Sequence, residues 1–144
     1  MGRRAWGKTA AQVALGGALT YAGISHLTFA RDEFQAQVPS WFPADADAVV
    51  LASGAVEIGL GAALLATWRQ PSRATVGKIA AAFFVAVFPG NIAQFTEGRD
   101  GFGLDTDTKR AVRLLFQPLL VLWALRATRT DRPEPAEPAE PERD

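Results

Sequence analysis

Cysteine is missing from all 144 residues. That excludes disulfides, thiolate metal sites, iron–sulfur ligation and any thiol redox step carried by this chain alone, though it fits either redox compartment. Histidine is nearly missing too. His26 stands alone, and one imidazole with one carboxylate among the apolar runs does not make a metal centre, so no metal site is expected. Net charge is absent, with 15 basic residues against 15 acidic, so nothing draws the chain toward nucleic acid. No phosphate-binding glycine loop is found, because the glycines lie in apolar runs and not between a strand and a helix. No self-contained catalytic constellation remains, and no catalytic residue is assigned.

What is present is segregation. Hydrophobic residues make up 49% of the chain, yet the charges gather in short stretches, and six of the 15 acids lie within 131–144. Between the charged stretches run four candidate membrane spans, at about 9–30, 48–68, 77–96 and 109–127. Thr9 to Ala30 holds only the titratable His26, Ala48 to Trp68 holds one charge at Glu57, and Ile79 to Thr96 holds none. A hydrocarbon core about 30 Å thick takes roughly 20 helical residues, which each of these supplies. The fourth is the weakest: only 12 residues, Leu114 to Leu125, are free of charge, and spanning length requires Arg110 and Arg113.

The charge tally calls for that fourth span. Arg3, Arg4 and Lys8 precede the first run, Arg69, Arg73 and Lys78 separate the second from the third, and Arg126, Arg129 and Arg132 follow the fourth. The loop after the first run has Arg31 against Asp32, Glu33, Asp45 and Asp47, and the loop after the third is mixed. Basic loops mark the cytoplasmic side, so the expected topology is N-in, C-in. The fold expected is all-α: an integral membrane bundle of four transmembrane helices with an interfacial loop after the first.

Residues 1–8 form a basic cytoplasmic start, and the Arg3-Arg4 pair also fits an export signal, cleaved or retained as an anchor. The tail at 128–144, rich in Pro and Glu, has nothing to bury and reads as disordered and cytoplasmic. Small residues recur at four-residue spacing: Ala10, Ala14, Ala18 and Ala22, then Ala55, Gly59 and Ala63, then Ala82, Ala86 and Gly90. Such stripes let helix backbones approach in a bilayer. In the outer loop, Pro39 and Pro43 prevent a regular helix around Trp41 and Phe42. That segment is expected at the headgroup level, as a plain anchor or as a cap over the bundle.

Polar residues inside the spans carry the functional signal: His26, Glu57, Asn91, Gln94, Arg113 and Gln117 all fall in the outer half or near the midplane. An ionised side chain facing lipid costs at least ~2.5–3.5 kcal/mol, so Glu57 and Arg113 are expected to face inward and pair, or Glu57 to be protonated. Two readings follow. The set is interhelical glue, or it is a polar pocket opening outward for the head group of a quinone or lipid, with His26 and Glu57 as its titratable members.

These residues also carry a family resemblance. Gly23-Ile24-Ser25-His26-Leu27, Val38-Pro39-Ser40-Trp41-Phe42-Pro43, Ser53-Gly54-Ala55-Val56-Glu57, Val87-Phe88-Pro89-Gly90-Asn91-Ile92, and Arg113 with Gln117 together resemble the DoxX family over roughly residues 10–127. The departure is Gly90, where that pattern has alanine. The resemblance implies a small four-helix protein of the bacterial inner (plasma) membrane, with both termini cytoplasmic. It carries over His26, Glu57, Pro89, Asn91 and Gln117 as matched positions. It also implies an association with quinone-linked oxidoreductase systems and with redox or stress-response partners, for which a chain without cysteine needs other proteins. The expected role is an accessory or binding component, with an oxidoreductase membrane subunit or a scaffold as alternatives. The bilayer is the expected partner, and self-association into homo-oligomers is compatible with the residues.

Overall fold

The computed structural model describes residues 3–130, so most of the tail read as disordered lies outside the described residues. Five helices follow in order: α1 Arg3–Leu27, α2 Arg31–Gln35, α3 Ala46–Ala66, α4 Ser72–Thr96 and α5 Asp107–Thr128. No strand occurs among the described residues. The helices start where local chemistry allows. The Asp45 carboxylate caps α3 by accepting from the Ala48 N–H at 3.0 Å, and the Thr106 hydroxyl caps α5 by accepting from the Lys109 N–H at 3.3 Å. The short α2 lies in the same loop upstream of Pro39 and Pro43, and residues 39–43 themselves are not helical.

Three helices are long and apolar enough to cross a membrane: α3, α4 and α5. This reverses the expected ranking, in which the last helix was weakest. In α5 the basic residues Arg110 and Arg113 sit near one end, leaving an apolar stretch long enough. Helix α1 falls short because Gln12, Ser25 and His26 dilute it, and all three are buried inside the bundle. The residues α1 turns outward include Val13, Tyr21 and Ile24.

The long helices form a ring in which α1 packs chiefly on α3 and α4 chiefly on α5, while α1–α5 and α3–α4 are lighter seams. Glycines set the α1–α3 seam. A Cβ at Gly23 would lie 2.5 Å from the Gly54 carbonyl oxygen, and one at Gly61 would lie 2.7 Å from that of Gly16. The pairs Gly16/Gly61 and Gly23/Gly54 keep one antiparallel register, seven residues apart on each helix. The expected stripe on the second span, Ala55 and Gly59, instead faces outward, and nothing lies within 4 Å of a Cβ at Gly59. Spacing alone cannot distinguish neighbouring helix faces in an alanine-rich chain. Gln12 adds a polar strut to the seam, donating to the carbonyls of Leu64 at 2.7 Å and Thr67 at 2.9 Å. Between α4 and α5, Gly77 makes room for the Thr128 side chain. Leu15, Leu19, Leu60, Leu64 and Phe84 centre the apolar core.

Candidate functional site

Between the α1–α3 pair and the α4–α5 pair lies a cavity of about 660 Å³. Leu15, Leu19, Phe84 and Leu120 contribute its apolar wall, and Val38, Pro39, Trp41 and Phe42 close it on the side of the 36–43 segment. Six polar or charged residues line it: His26, Ser53, Glu57, Arg113 and Gln117 from three helices, and Gln37 from the loop. Its size suits a small organic ligand, and its make-up suits one as well: mostly apolar, with few convergent polar groups.

His26 is 6% exposed. Its Nδ1 lies 3.0 Å from the Ala22 carbonyl oxygen, to which it donates, and 2.7 Å from Glu57 Oε2. The Ala22 carbonyl can only accept, so the contact with it places a hydrogen on Nδ1. The ring hydrogen points along the helix to Ala22, which leaves Glu57 Oε2 close to the imidazole but without a hydrogen bond of its own. One face of the imidazole stacks on Phe34 at 3.3 Å between centroids, and Phe102 meets Phe34 edge-on at 4.5 Å. Phe102 has a φ of 54°, rare for a bulky side chain. It is held there by its N–H, which donates to Glu33, and by its packing on Phe34.

Glu57 therefore touches His26, and Arg113, expected as its partner, comes within range of its charge without forming an ion pair among the described residues. Arg113 lines the same cavity but makes no hydrogen bond or ion pair among the described residues. Helical spacing places both residues on inward faces, yet it cannot show that α1 brings an imidazole nearer to Glu57 than α5 brings a guanidinium. Gln117 is fixed on both sides: its Nε2 donates to the Phe84 carbonyl at 2.6 Å, and its Oε1 accepts from Asn91 Nδ2 at 2.9 Å. Asn91 stands behind Gln117 and does not line the cavity. Gln94 is 1% exposed and lies by Gly101, away from the cavity, with an unpartnered Nε2. Pro43 also lies outside the lining. Arg110, which shares a helix face with Arg113, turns to the loop, where it pairs with Asp100 at 2.5 Å and Asp107 at 2.7 Å.

The cap is tied down by polar bonds that the hydropathy pattern does not reveal. Arg99 donates to the Val38 carbonyl at 2.6 Å and pairs with Glu97 at 2.9 Å. Glu97 accepts from the Ser40 hydroxyl at 2.9 Å and from its N–H at 3.2 Å. These Ser40 bonds, with Arg99 beside them, hold the Glu97 carboxyl below its ordinary range. Arg31 pairs with Asp47, at the start of α3. Gly90 lets the Gln37 carbonyl approach α4 where a side chain would block it. Phe34, Phe102 and Gln37 line the cavity with no signal in the sequence to mark them, and Ser53 joins them from the motif that holds Glu57. Phe34 was visible there only as an aromatic residue in the loop, and nothing local marks it as the partner of His26.

A family model described as a domain of unknown function, DUF8561, matches residues 15–128, and the chain belongs to that family. No curated protein and no solved structure matches it. The resemblance to the DoxX family is thereby corrected. Its short motifs consist of glycines, prolines and inward polar residues, which recur wherever small helices pack closely around a polar interior. The redox association that came with that resemblance goes with it.

Proposed function

We propose that this DUF8561-family chain is a four-helix integral membrane protein, N-in and C-in, that binds one amphiphile with its head group in the cavity. The head group is of the hydrogen-bond-accepting kind found on a quinone or a lipid, and the role is that of an accessory or binding component. The observation that carries this is the pairing of apolar walls with Arg113, which has no ion pair among the described residues, beside the His26–Glu57 contact. A half-buried cation against apolar walls favours an acceptor or an anion within reach, and Gln117 is held in a fixed orientation in the same lining.

The membrane part rests on three sufficiently apolar helices and on the inside-out distribution of side chains. Gln12, Ser25, His26, Asn91, Gln94 and Gln117 are buried, whereas Phe29, Val85, Leu115 and Leu119 are exposed. A water-soluble bundle does the reverse. Helix α1 becomes the fourth crossing on this reading, because the residues that lower its hydropathy all face inward. The alternation of basic and acidic loops sets the orientation. The light α3–α4 seam, with Val49 and Ser53 on one side and Ala86 and Val87 on the other, gives a lateral way in from the bilayer.

The test is to extract the full chain from membranes in a mild non-ionic detergent and analyse bound small molecules by mass spectrometry. The expected result is near-stoichiometric retention of one amphiphile, whose mass separates quinone from lipid. Arg113→Gln should weaken retention by about tenfold or more, since a charge-assisted hydrogen bond contributes roughly 1.5–3 kcal/mol. A consistently empty cavity, with Glu57→Gln and Arg113→Gln altering stability alone, would leave a scaffold in place of a binding protein.

A further inference from the structure

A second concave site lies at the opposite end of the bundle, in the seam between the start of α1 and the end of α5. Its volume is about 560 Å³, and its lining includes Gly7, Lys8, Trp123, Arg126 and Arg129, with no acidic side chain among the described residues. Trp123 fixes the wall by donating its indole N–H to the Ala11 carbonyl at 2.8 Å. Lys8 reaches across the seam to the Arg129 carbonyl at 3.4 Å. The Arg126 and Arg129 side chains are exposed and make no hydrogen bond or ion pair among the described residues.

The pattern along α5 gives the site its polarity. Leu115, Leu119, Leu122 and Arg126 follow along α5 at spacings of four, three and four and form one stripe, Arg129 follows at the C-cap, and all five are exposed. Three apolar residues are thus followed by two basic ones. From Leu115 to Arg126 the helix rises ~16 Å, close to the ~15 Å depth of one leaflet's hydrocarbon. Gly7 and Ala11 on the facing stretch of α1 leave the seam shallow and open, and a Cβ at Gly7 would meet nothing within 4 Å.

We infer that this seam binds one anionic phospholipid from the leaflet on the basic side of the protein. The phosphate lies against Arg126 and Arg129, and the acyl chains lie along Leu122, Leu119 and Leu115. A soluble phosphate compound would use the two guanidiniums but leave the leucine stripe without a role. A zwitterionic lipid would fit the stripe but bring a cation next to the arginines. The inference rests on the membrane reading above and is independent of what fills the larger cavity.

Native mass spectrometry of the full chain in a neutral detergent tests it, with phosphatidylglycerol, phosphatidylcholine and inorganic phosphate as separate additives. One phosphatidylglycerol should be retained in preference to phosphatidylcholine. The Arg126→Gln/Arg129→Gln variant should bind it on the order of 30-fold more weakly, while Arg126→Lys/Arg129→Lys keeps most of the affinity. Arg69→Gln, a change elsewhere on the basic side, should leave binding as it was. Equal retention of the two lipids by the unaltered chain, an equal loss with Arg69→Gln, or binding of phosphate without lipid would each overturn the inference. Recovery of the chain from the soluble fraction without detergent would overturn the membrane reading first, so the two failures are distinguishable.

Discussion

Replacing Gln117 with leucine tests the buried amide network quantitatively. Gln117 closes two hydrogen bonds, one to the Phe84 carbonyl and one from Asn91, at 2.6 and 2.9 Å. Interhelical hydrogen bonds in membrane bundles average about 0.6 kcal/mol and reach about 1.7, so Gln117→Leu should cost roughly 1–3 kcal/mol. Asn91→Leu breaks only one of the two, and it also removes the Asn91 Oδ1, which is buried without a donor. Its cost should be smaller, within about 1 kcal/mol. In the double variant the Asn91–Gln117 bond is lost only once, so the combined cost should fall short of the sum by about 0.6–1.7 kcal/mol. The assay is reversible unfolding of the full chain in mixed micelles titrated with dodecyl sulfate, followed by helical circular dichroism. Costs that add to within about 0.3 kcal/mol would refute the proposed coupling of α4 to α5 through this pair. So would a larger loss from Asn91→Leu than from Gln117→Leu.

Other perturbations read other parts of the molecule. Gly61→Val forces a side chain against the Gly16 carbonyl and Thr20, and should lower the unfolding midpoint by the equivalent of about 2 kcal/mol or more, whereas Gly59→Val should stay within about 0.5. Trp123→Phe keeps the ring but loses the bond to Ala11, a cost of about 1 kcal/mol in the same titration. The Glu97 carboxyl is depressed in the fold by its Ser40 hydrogen bonds, so its stabilisation is complete above the unfolded value of about 4.3. It is lost as pH falls through the lower folded value. Amide exchange at residues 38–42 should therefore speed up in acid, and Ser40→Ala should move that onset to higher pH. An onset unchanged by Ser40→Ala would remove Glu97 as the fastening.

Much of the helical framework is legible in the residues, because an uncharged run of about 20 leaves a chain few other ways to satisfy its backbone in lipid. The inward polar set is legible for a related reason. A buried amide or charge has to face other protein, so His26, Glu57, Arg113 and Gln117 point to the interior wherever the helices stand. What the residues do not reveal is who meets whom. Glu57 and Arg113 suggest each other by charge, but the Gly23–Gly54 approach draws α1 so near α3 that His26 reaches Glu57 first. Asn91 and Gln94 differ by less than a full turn, and that is enough to put one behind Gln117 and the other under the turn at Gly101. The cap is harder still. Its fastenings run from Ser40 to Glu97 and from Arg99 to Val38, between loops about sixty residues apart in sequence.

The ring of helices is unevenly fastened, and that has a mechanical meaning. Two leaves, α1 with α3 and α4 with α5, are each stitched internally by glycine contacts or side-chain bonds. At their inner ends they are latched together along the α1–α5 edge by Trp123 on Ala11 and by Lys8 on Arg129. Among the described residues, no side-chain bond crosses the α3–α4 edge. Such a body would open like a clasp, with the latched edge as the spine and the free edge parting. On the proposed membrane reading, the free edge looks sideways into the bilayer and not along the membrane normal. On the proposed reading a guest would come and go while the cap remains shut, and exchange with the surrounding lipid would never admit water to the imidazole.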